Sequence, residues 1–242
     1  MRIFESLEEM INEVTRDLFS RGKKVFDTTV QAKTVVGKEY SQKELLGYAF
    51  TVNDTSDAEK MLEWSRKTFN KPHLSKLHAE GWFQDIISGK PLNPEPSWVY
   101  FQDYWEKFGL ESDRRFSYTY SERLLMLPQI IDALKKNPYR RGAVITVYNT
   151  PQDAANIGKR RVPCSMYFQF LVRDDPIIGP QLHIIYNMRS CDFVNFFPLD
   201  IYRAAALKKY VAEKLEIGEG SLTMFIGTLH AYNLDVPEDR KW

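Results

Sequence analysis

An α+β fold, carried by one domain over residues 1–242, is what the sequence predicts. Three observations predict it. Segments with apolar residues at helical spacing stand near both ends of the chain. Runs rich in β-branched and aromatic residues, bounded by turn residues, crowd the C-terminal half. Neither a repeat nor a low-complexity linker divides the chain, and its length suits one large domain.

In chain order, Ser6 to Arg21 carries Leu7, Met10, Ile11, Val14 and Leu18 on one helical stripe, and Ser6 with Glu9 makes a capping-box pattern. A β-rich stretch follows in KKVFDTT and KTVVGKEYSQKELLGYAFTV. Asp57 to Phe69 reads as a helix whose face is Ala58, Met61, Leu62 and Trp64. Lys71 to Glu111 holds Trp82, Trp98 and Trp105 and is broken by NPEPS, which predicts short helices and loops. SERLLMLPQIIDALKKNP predicts a helix capped near Ser121, with Pro128 at a kink or a start, ended by Asn137-Pro138. GAVITVY (Gly142 to Tyr148) predicts a buried strand. Ser165 to Val172 and Leu182 to Asn187 predict two more, joined by the DDPIIGP turn. Leu199 to Leu215 is a long helix ended near Gly218, and Met224 to Tyr232 a last strand.

Charge and composition narrow the function. The net charge is +1, from 33 basic and 32 acidic residues, so nothing draws the chain as a whole to nucleic acid or an anionic membrane. An anion must be held by a local cluster of Arg or Lys. No apolar run approaches the ~18 residues of a membrane span. Glu5, Glu8 and Glu9 occupy the place where a secretory signal needs an apolar core. Two cysteines, Cys164 and Cys191, are too few for a disulfide scaffold, and the expected setting is cytoplasmic. His73 and His78 lack a partner set at zinc spacing, so no metal is expected.

Three local groups carry possible chemistry. Pro163-Cys164-Ser165 stands at the entrance to a strand, where a thiol can be rigid and partly exposed; alone, it reads as well as a packing cysteine. Arg140-Arg141 and Arg189-Ser190 flank two strands and offer donors that match phosphate oxygens, although paired arginines are also common on solvated surfaces. In Gly227-Thr228-Leu229-His230-Ala231-Tyr232, strand alternation sends His230 and Tyr232 to one face, where they suit a sugar hydroxyl or simply a core.

Taken in order, Y-x-E-R from Tyr120, N-P-x-R-R-G from Asn137, P-C at Cys164, R-S-C-D-x(5)-P-x-D-I from Arg189 and G-T-L-H-A-Y from Gly227 resemble the thymidylate synthase family, which includes the deoxycytidylate hydroxymethylases. The resemblance runs from about Lys33 to Tyr232. It implies a mixed β-sheet with helices packed on it and a homodimer formed sheet to sheet. It also implies 5,10-methylenetetrahydrofolate as co-substrate and a pyrimidine nucleoside monophosphate as substrate. Cys164 matches the nucleophile that adds to C6 of the ring. Arg189 and Ser190 match phosphate ligands, and Arg140 and Arg141 match the pair that reaches the phosphate in the neighbouring subunit. Asp192 matches a folate-contacting aspartate, and His230 and Tyr232 match groups near the ribose 3′-hydroxyl. Glu63, in MLEW, looks like the glutamate that organises water and proton transfer, and Tyr120 matches an active-site tyrosine.

Three departures refine the expectation. Asp200 stands where thymidylate synthases typically carry Asn. An amide donates to O4 and accepts from N3–H of uracil, whereas cytosine reverses both demands, so a carboxylic acid suits cytosine better. The hydroxymethylases resemble this chain in that Asp. Ser165 follows the cysteine where synthases usually have His. Only ten residues follow Tyr232, so the long segment that closes over folate is not expected, which favours quenching by water over hydride transfer. The resulting expectation is a (deoxy)cytidylate 5-hydroxymethyltransferase. The alternatives are a thymidylate synthase methylating dUMP, or a nucleotide-binding homologue without activity.

Overall fold

A computed structural model describes residues 1–26, 29–30 and 33–241. A short strand β1 (Arg2–Phe4) leads into α1 (Leu7–Arg21), where Ser6 Oγ accepts from the Glu9 amide at 3.2 Å. The Glu9 carboxylate reaches back one residue beyond the cap, to the Glu5 amide at 2.9 Å. Strand β2 (Lys23–Phe26) and the small hairpin of β3 (Thr29–Val30) and β4 (Lys33–Thr34) follow. Asp27 and Thr28, which the β-rich reading included, lie outside the described residues.

Strand β5 (Ser41–Val52) then precedes α2 (Ala58–Phe69) and α3 (Lys76–Ile87). The region expected to hold short helices and loops continues as a 3-10 segment, Pro96–Phe101, and α4 (Gln102–Phe108). The segment from Ser121 to Pro138, expected as one helix, is two. Helix α5 (Tyr120–Arg123) is closed by a capping box on Thr119 rather than Ser121, and α6 (Leu127–Lys136) starts afresh with Pro128 in its first turn. Pro128 has no amide hydrogen to give to the preceding turn, so the chain restarts its ladder there.

The rest supplies the sheet. Strand β6 (Val144–Thr146) is shorter than the expected Gly142–Tyr148, and α7 (Thr150–Asn156) follows it. A hairpin of β7 (Ser165–Asp175) and β8 (Gly179–Asp192), helix α8 (Phe197–Leu215) and β9 (Gly218–Tyr232) complete the set. Among the described residues the main sheet runs β1-β5-β9-β8-β7-β6, with β2 also on β5. Pairing is parallel between β1 and β5 and between β8 and β9, and antiparallel elsewhere. The mixed sheet expected from the sequence is present.

Strand alternation sorts the two faces. One face presents Phe168, Phe170, Leu182, Ile184, Tyr186, Met188, Leu222, Met224, Ile226 and Phe50, all buried. Helix α8 packs on β8 and β9 there, and α2, α3 and α6 pack against α8. The other face carries Tyr167, Gln169, Leu171, Ile185, Asn187 and Phe225, which stay half-buried or exposed.

This topology converges several strand ends on one spot. Antiparallel pairing sets the start of β7 beside the end of β8, so the Arg189 amide bonds the Cys164 carbonyl at 2.8 Å. Parallel pairing then sets Ser190 opposite Thr228 and Asp192 opposite His230. Gly227 makes the close approach possible, since a Cβ there would stand 2.6 Å from the Arg189 carbonyl oxygen.

Candidate functional site

A cavity of about 560 Å³ opens over these converged ends. That size suits a nucleotide-scale ligand with room to spare. Cys164, Tyr120, Arg189, Ser190, Asp192, Asp200, His230 and Tyr232 all line it. Eight residues picked out from separate stretches of sequence thus meet in one hollow. Trp82, Tyr104, Trp105 and Phe196 add an aromatic wall.

Cys164 sits in the short stretch before β7, partly exposed, and Arg189 brackets it. The guanidinium donates to the Pro163 carbonyl at 2.8 Å and the Val162 carbonyl at 3.1 Å, and lies 3.8 Å from Sγ. A cation beside a thiol favours the thiolate, yet here the net direction is the reverse. Burial pushes the Cys164 thiol up; Arg189 opposes this, Asp200 adds to the rise, and Arg161 opposes it again. The resting thiol therefore keeps its proton at neutral pH.

The corner around Ser190, His230 and Tyr232 is built on strands. Ser190 Oγ and His230 Nδ1 lie 3.4 Å apart, and the His230 and Tyr232 rings meet edge to face at 5.3 Å. Asp192 is tied inward: it accepts from the amides of Val194 and Asn195, each at 3.1 Å, and from Asn195 Nδ2 at 2.9 Å. Its buried carboxylate thus braces the turn into α8.

Asp200 occupies the first turn of α8, where the helix dipole favours an anion. It is 4 % exposed, and its Oδ1 is ion-paired with Arg203, one turn along and 2 % exposed. Tyr186 OH stands 3.5 Å from the same oxygen, while the Cys191 thiol approaches Oδ2 at 3.6 Å. Ser165 does not face the cavity; buried behind Cys164, it bonds Tyr120 OH at 2.8 Å and also contacts the Tyr186 hydroxyl. A continuous buried chain of polar groups therefore runs from Tyr120 through Ser165, Tyr186 and Arg203 to Asp200.

Three predicted residues are not in the cavity. Glu63 lies on the exposed side of α2, 45 % exposed, where Arg66 at 2.8 Å and Lys67 at 3.1 Å hold it in an ordinary helical pair. These partners lower its pKa to about 2, the Arg66 bond first. The role expected of Glu63 therefore finds no support in the lining of this cavity, which Glu63 does not join. Arg140 and Arg141 sit in the exposed connection between α6 and β6, outside their own cavity.

The sequence reading missed two groups. Glu95, from the NPEPS stretch, is 7 % exposed; its Oε1 accepts from the Ser121 amide at 2.7 Å and its Oε2 from Trp82 Nε1 at 3.2 Å. Burial pushes its carboxyl up to about 7, against the pull of the Ser121 amide. It lines a pocket of about 30 Å³ that shares Trp82, Trp105, Tyr120, Arg161 and Phe196 with the main cavity. Arg161 is the second: its guanidinium lies 4.0 Å from the Tyr118 ring, Nη2 donates to the Tyr118 carbonyl, and Nε has no hydrogen-bond partner. A pocket of that size takes one water, with Glu95 and Arg161 as polar neighbours. Glu95 sits among turn residues and Arg161 in a basic run, so neither had a local signature.

Residues 66–240 match the family model described as thymidylate synthase. The chain belongs to the thymidylate synthase family. Within that family it is similar to the putative thymidylate synthase of Methanosarcina barkeri (strain Fusaro / DSM 804), 30 % identical over 132 residues that make up 52 % of this chain and 57 % of the relative. It is also similar to the thymidylate synthase of Candida albicans (strain SC5314 / ATCC MYA-2876), 30 % identical over 141 residues, 53 % of this chain and 44 % of that one. The chain spans about half the length of the curated relatives it matches. The crystal structure of thymidylate synthase from T4 phage superposes with a TM-score of 0.64 at 18 % identity, covering 93 % of this chain and 77 % of that one. That likeness is one of fold, and it agrees with the α+β thymidylate synthase architecture. Among the described residues no helix is long and apolar enough to cross a membrane, and no cluster of side chains is arranged to hold a metal ion.

Proposed function

We propose that the chain is a C5 one-carbon transferase of pyrimidine nucleoside monophosphates, acting on cytidylate and leaving a hydroxymethyl group. The observation that carries the cytidylate reading is Asp200, a buried carboxyl on the cavity wall beside the thiol. A carboxyl group can accept from the exocyclic amine of cytosine with one oxygen and share a proton with N3 through the other, the reverse of the pattern an amide offers uracil. The names of the relatives favour the second reading, methylation of dUMP; Asp200 is what weighs against it.

Ring chemistry sets the roles. Pyrimidine C5 is a weak nucleophile until Cys164 Sγ, losing its proton, bonds C6 and pushes the ring electron pair onto C5. Arg189, 3.8 Å from Sγ, steadies the thiolate as it forms. The co-substrate 5,10-methylenetetrahydrofolate would supply the carbon at the oxidation level of formaldehyde. Asp192 and the aromatic wall are the groups that fit it, and about 560 Å³ has room for a pterin beside a nucleotide. C5 would bond that carbon; loss of the C5 proton and cleavage of the carbon–nitrogen bond would then release tetrahydrofolate and leave an exocyclic methylene on the ring. Water adds its oxygen to the resulting exocyclic methylene, and the C6–S bond breaks to return the thiolate. Glu95, in place of the expected Glu63, is the carboxyl suited to taking and returning protons, since its pKa of about 7 matches neutral pH.

Arg189 and Ser190 would hold the phosphate, and His230 and Tyr232 the sugar. Arg140 and Arg141 would complete the phosphate site of a second copy. The open sheet face bearing Tyr167, Leu171, Ile185 and Phe225 supports a homodimer formed sheet to sheet. Two thiols that are free in the fold suit a reducing cytoplasm.

The experiment is direct. The purified chain is mixed with methylenetetrahydrofolate and each of CMP, dCMP and dUMP, and the products are weighed. A hydroxymethylated cytidylate is expected. A methylated uridylate with release of dihydrofolate would overturn the reading.

A further inference from the structure

Behind the aromatic wall of the cavity lies the smaller hollow of about 30 Å³. Trp82, Trp105, Tyr120, Arg161 and Phe196 line both spaces, which are therefore one side chain apart. Most of the hollow is aromatic, but Arg161, Glu95 and His78 bring polar atoms to it. Arg161 is 9 % exposed; its Nη2 donates to the Tyr118 carbonyl at 2.8 Å, and its Nε has no hydrogen-bond partner. A buried charged N–H left without an acceptor is strongly unfavourable.

Glu95 spends one lone pair on each oxygen, for the Ser121 amide and the Trp82 indole, and keeps the others. His78 turns Nδ1 to the His73 carbonyl at 2.8 Å. A carbonyl only accepts, so Nδ1 carries the proton and Nε2 the lone pair. Burial holds the His78 pKa below the usual imidazole value, and the ring is neutral at neutral pH. One donor and two acceptors around a space of this size are the complement of one water. Its oxygen takes the Arg161 Nε–H, and its hydrogens go to Glu95 and His78. An ion fits less well, since an anion would meet Glu95 and a cation Arg161.

The reaction proposed above calls for one water at one moment. After the carbon is transferred, the ring carries an exocyclic methylene at C5, and any small nucleophile that reaches it adds. A water pinned beside a base attacks from a fixed place and gives up its proton as it does so. Glu95 is matched to that task. Burial and Asp85 raise its carboxyl, the Ser121 amide, Arg161 and Arg203 lower it, and the balance is about 7.

We propose that this hollow seats the water that becomes the hydroxymethyl oxygen, with Arg161 as the residue that positions it and Glu95 as the base that takes its proton. The water oxygen bonds the exocyclic carbon, and one O–H proton passes to the Glu95 carboxylate. The methylene π pair moves onto C5 and forms the C5=C6 bond, while the C6–S pair leaves on Cys164. A protonated Glu95 and a thiolate remain, and passage of that proton to the thiolate or to solvent resets the site. The inference rests on the hydroxymethyl reading and adds where its nucleophile sits and what holds it.

The test is a competition for the methylene. The chain turns over dCMP and methylenetetrahydrofolate in the presence of 2-mercaptoethanol, and the hydroxymethyl and thioether nucleotides are quantified by mass spectrometry. The unaltered chain is compared with Arg161→Met and Arg161→Lys, with circular dichroism to confirm folding. Arg161→Met should raise the ratio of thioether to hydroxymethyl product by ~10-fold or more, the effect of losing a charged hydrogen bond. Arg161→Lys, which keeps a cationic donor, should recover part of that change. Both products branch from one intermediate, so slower thiolate formation or weaker binding leaves the ratio alone. An unchanged ratio in a folded Arg161→Met chain would mean a merely structural arginine and would overturn the proposal. Where Arg161→Met does not fold, a crystal structure of the unaltered chain decides. An ordered water within hydrogen-bond reach of Arg161 Nε and a Glu95 oxygen is expected, and a dry hollow would overturn the proposal equally. An unaltered chain that makes no hydroxymethylated nucleotide would overturn the reading of the reaction itself, a failure visible before any variant is made.

Discussion

The two ends of the cavity are built on different principles. At the proposed phosphate and ribose end, Arg189, Ser190, His230 and Tyr232 project from the adjacent parallel strands β8 and β9, with Arg189 exposed. At the proposed base end, Asp200 is held by Arg203, Tyr186 and Cys191, with Ser165 and Tyr120 beyond, all but sealed from water. The first end needs only strand register to come together, and its charges stay near solvent. The second needs a helix, two strands and a short capped turn to meet, and its charges interact in a medium where a lost partner cannot be replaced by water. Affinity for any nucleotide should reside at the first end, and choice of base at the second.

The largest effect that would sharpen this contrast concerns the group between the two ends. Cys164→Ser should lower turnover by roughly 10⁴ or more while leaving the thermal midpoint nearly unchanged, with no nucleotide adduct seen by mass spectrometry. Turnover close to the unaltered level would end the covalent mechanism.

Next is Asp200→Asn, which should reverse base preference by roughly 10²-fold or more in the ratio of kcat/KM values for dCMP and dUMP. It also leaves Arg203 facing a neutral amide, so a loss of stability on the order of 3–5 kcal/mol should accompany the switch in denaturant titrations. Arg189→Ala, by contrast, should weaken both nucleotides alike. A change in base ratio for Arg189→Ala would break the division between the two ends.

A smaller effect belongs to Glu95. The folded chain holds its proton up to about pH 7, whereas the unfolded chain releases it near 4.5. The stabilisation from this group is therefore complete below about pH 4.5 and is lost as the pH rises through about 7, a swing on the order of 3 kcal/mol. Glu95→Gln should flatten that part of the stability–pH curve and remove a near-neutral limb from the rate–pH profile. Two superimposable curves would show that the carboxyl titrates elsewhere.

The smallest effect is expected at Glu63. Glu63→Ala should leave turnover within about two-fold and the melting temperature unchanged within error, because its ion pairs are exposed and screened. A collapse of activity there would restore the role first expected of it and displace Glu95.

Legibility from sequence followed the same divide. The strands β7, β8 and β9 and the helices α1, α2 and α8 were readable because their apolar periods are strong and their ends carry caps or turns. Helix α3 is one of the short helices expected in its region, but its bounds were not readable; Gly81 lies in its middle and aromatic residues are strewn around it. The restart at Pro128 was foreseen only as one of two options, since a proline permits both a kink and a first turn. Glu63 looked functional through its neighbours Met61, Leu62 and Trp64, but a short motif cannot tell which side of a helix meets the cavity. Glu95 looked like a turn residue because its worth depends on Trp82 and Ser121, brought to it from two other segments.

By itself the sequence determined the family-like order of motifs and singled out the residues we propose as nucleophile, as strand-borne phosphate and sugar ligands and as reader of the base. Each of these depends on residue type and on local periodicity, which a linear chain already contains. Only the tertiary structure decided that Glu95 rather than Glu63 is the buried carboxyl, that the Cys164 thiol rests protonated, and that Asp200 is answered by Arg203. Those facts are matters of burial and of charge at a distance of a few ångströms. Neither exists until segments far apart in the chain have excluded water from between them.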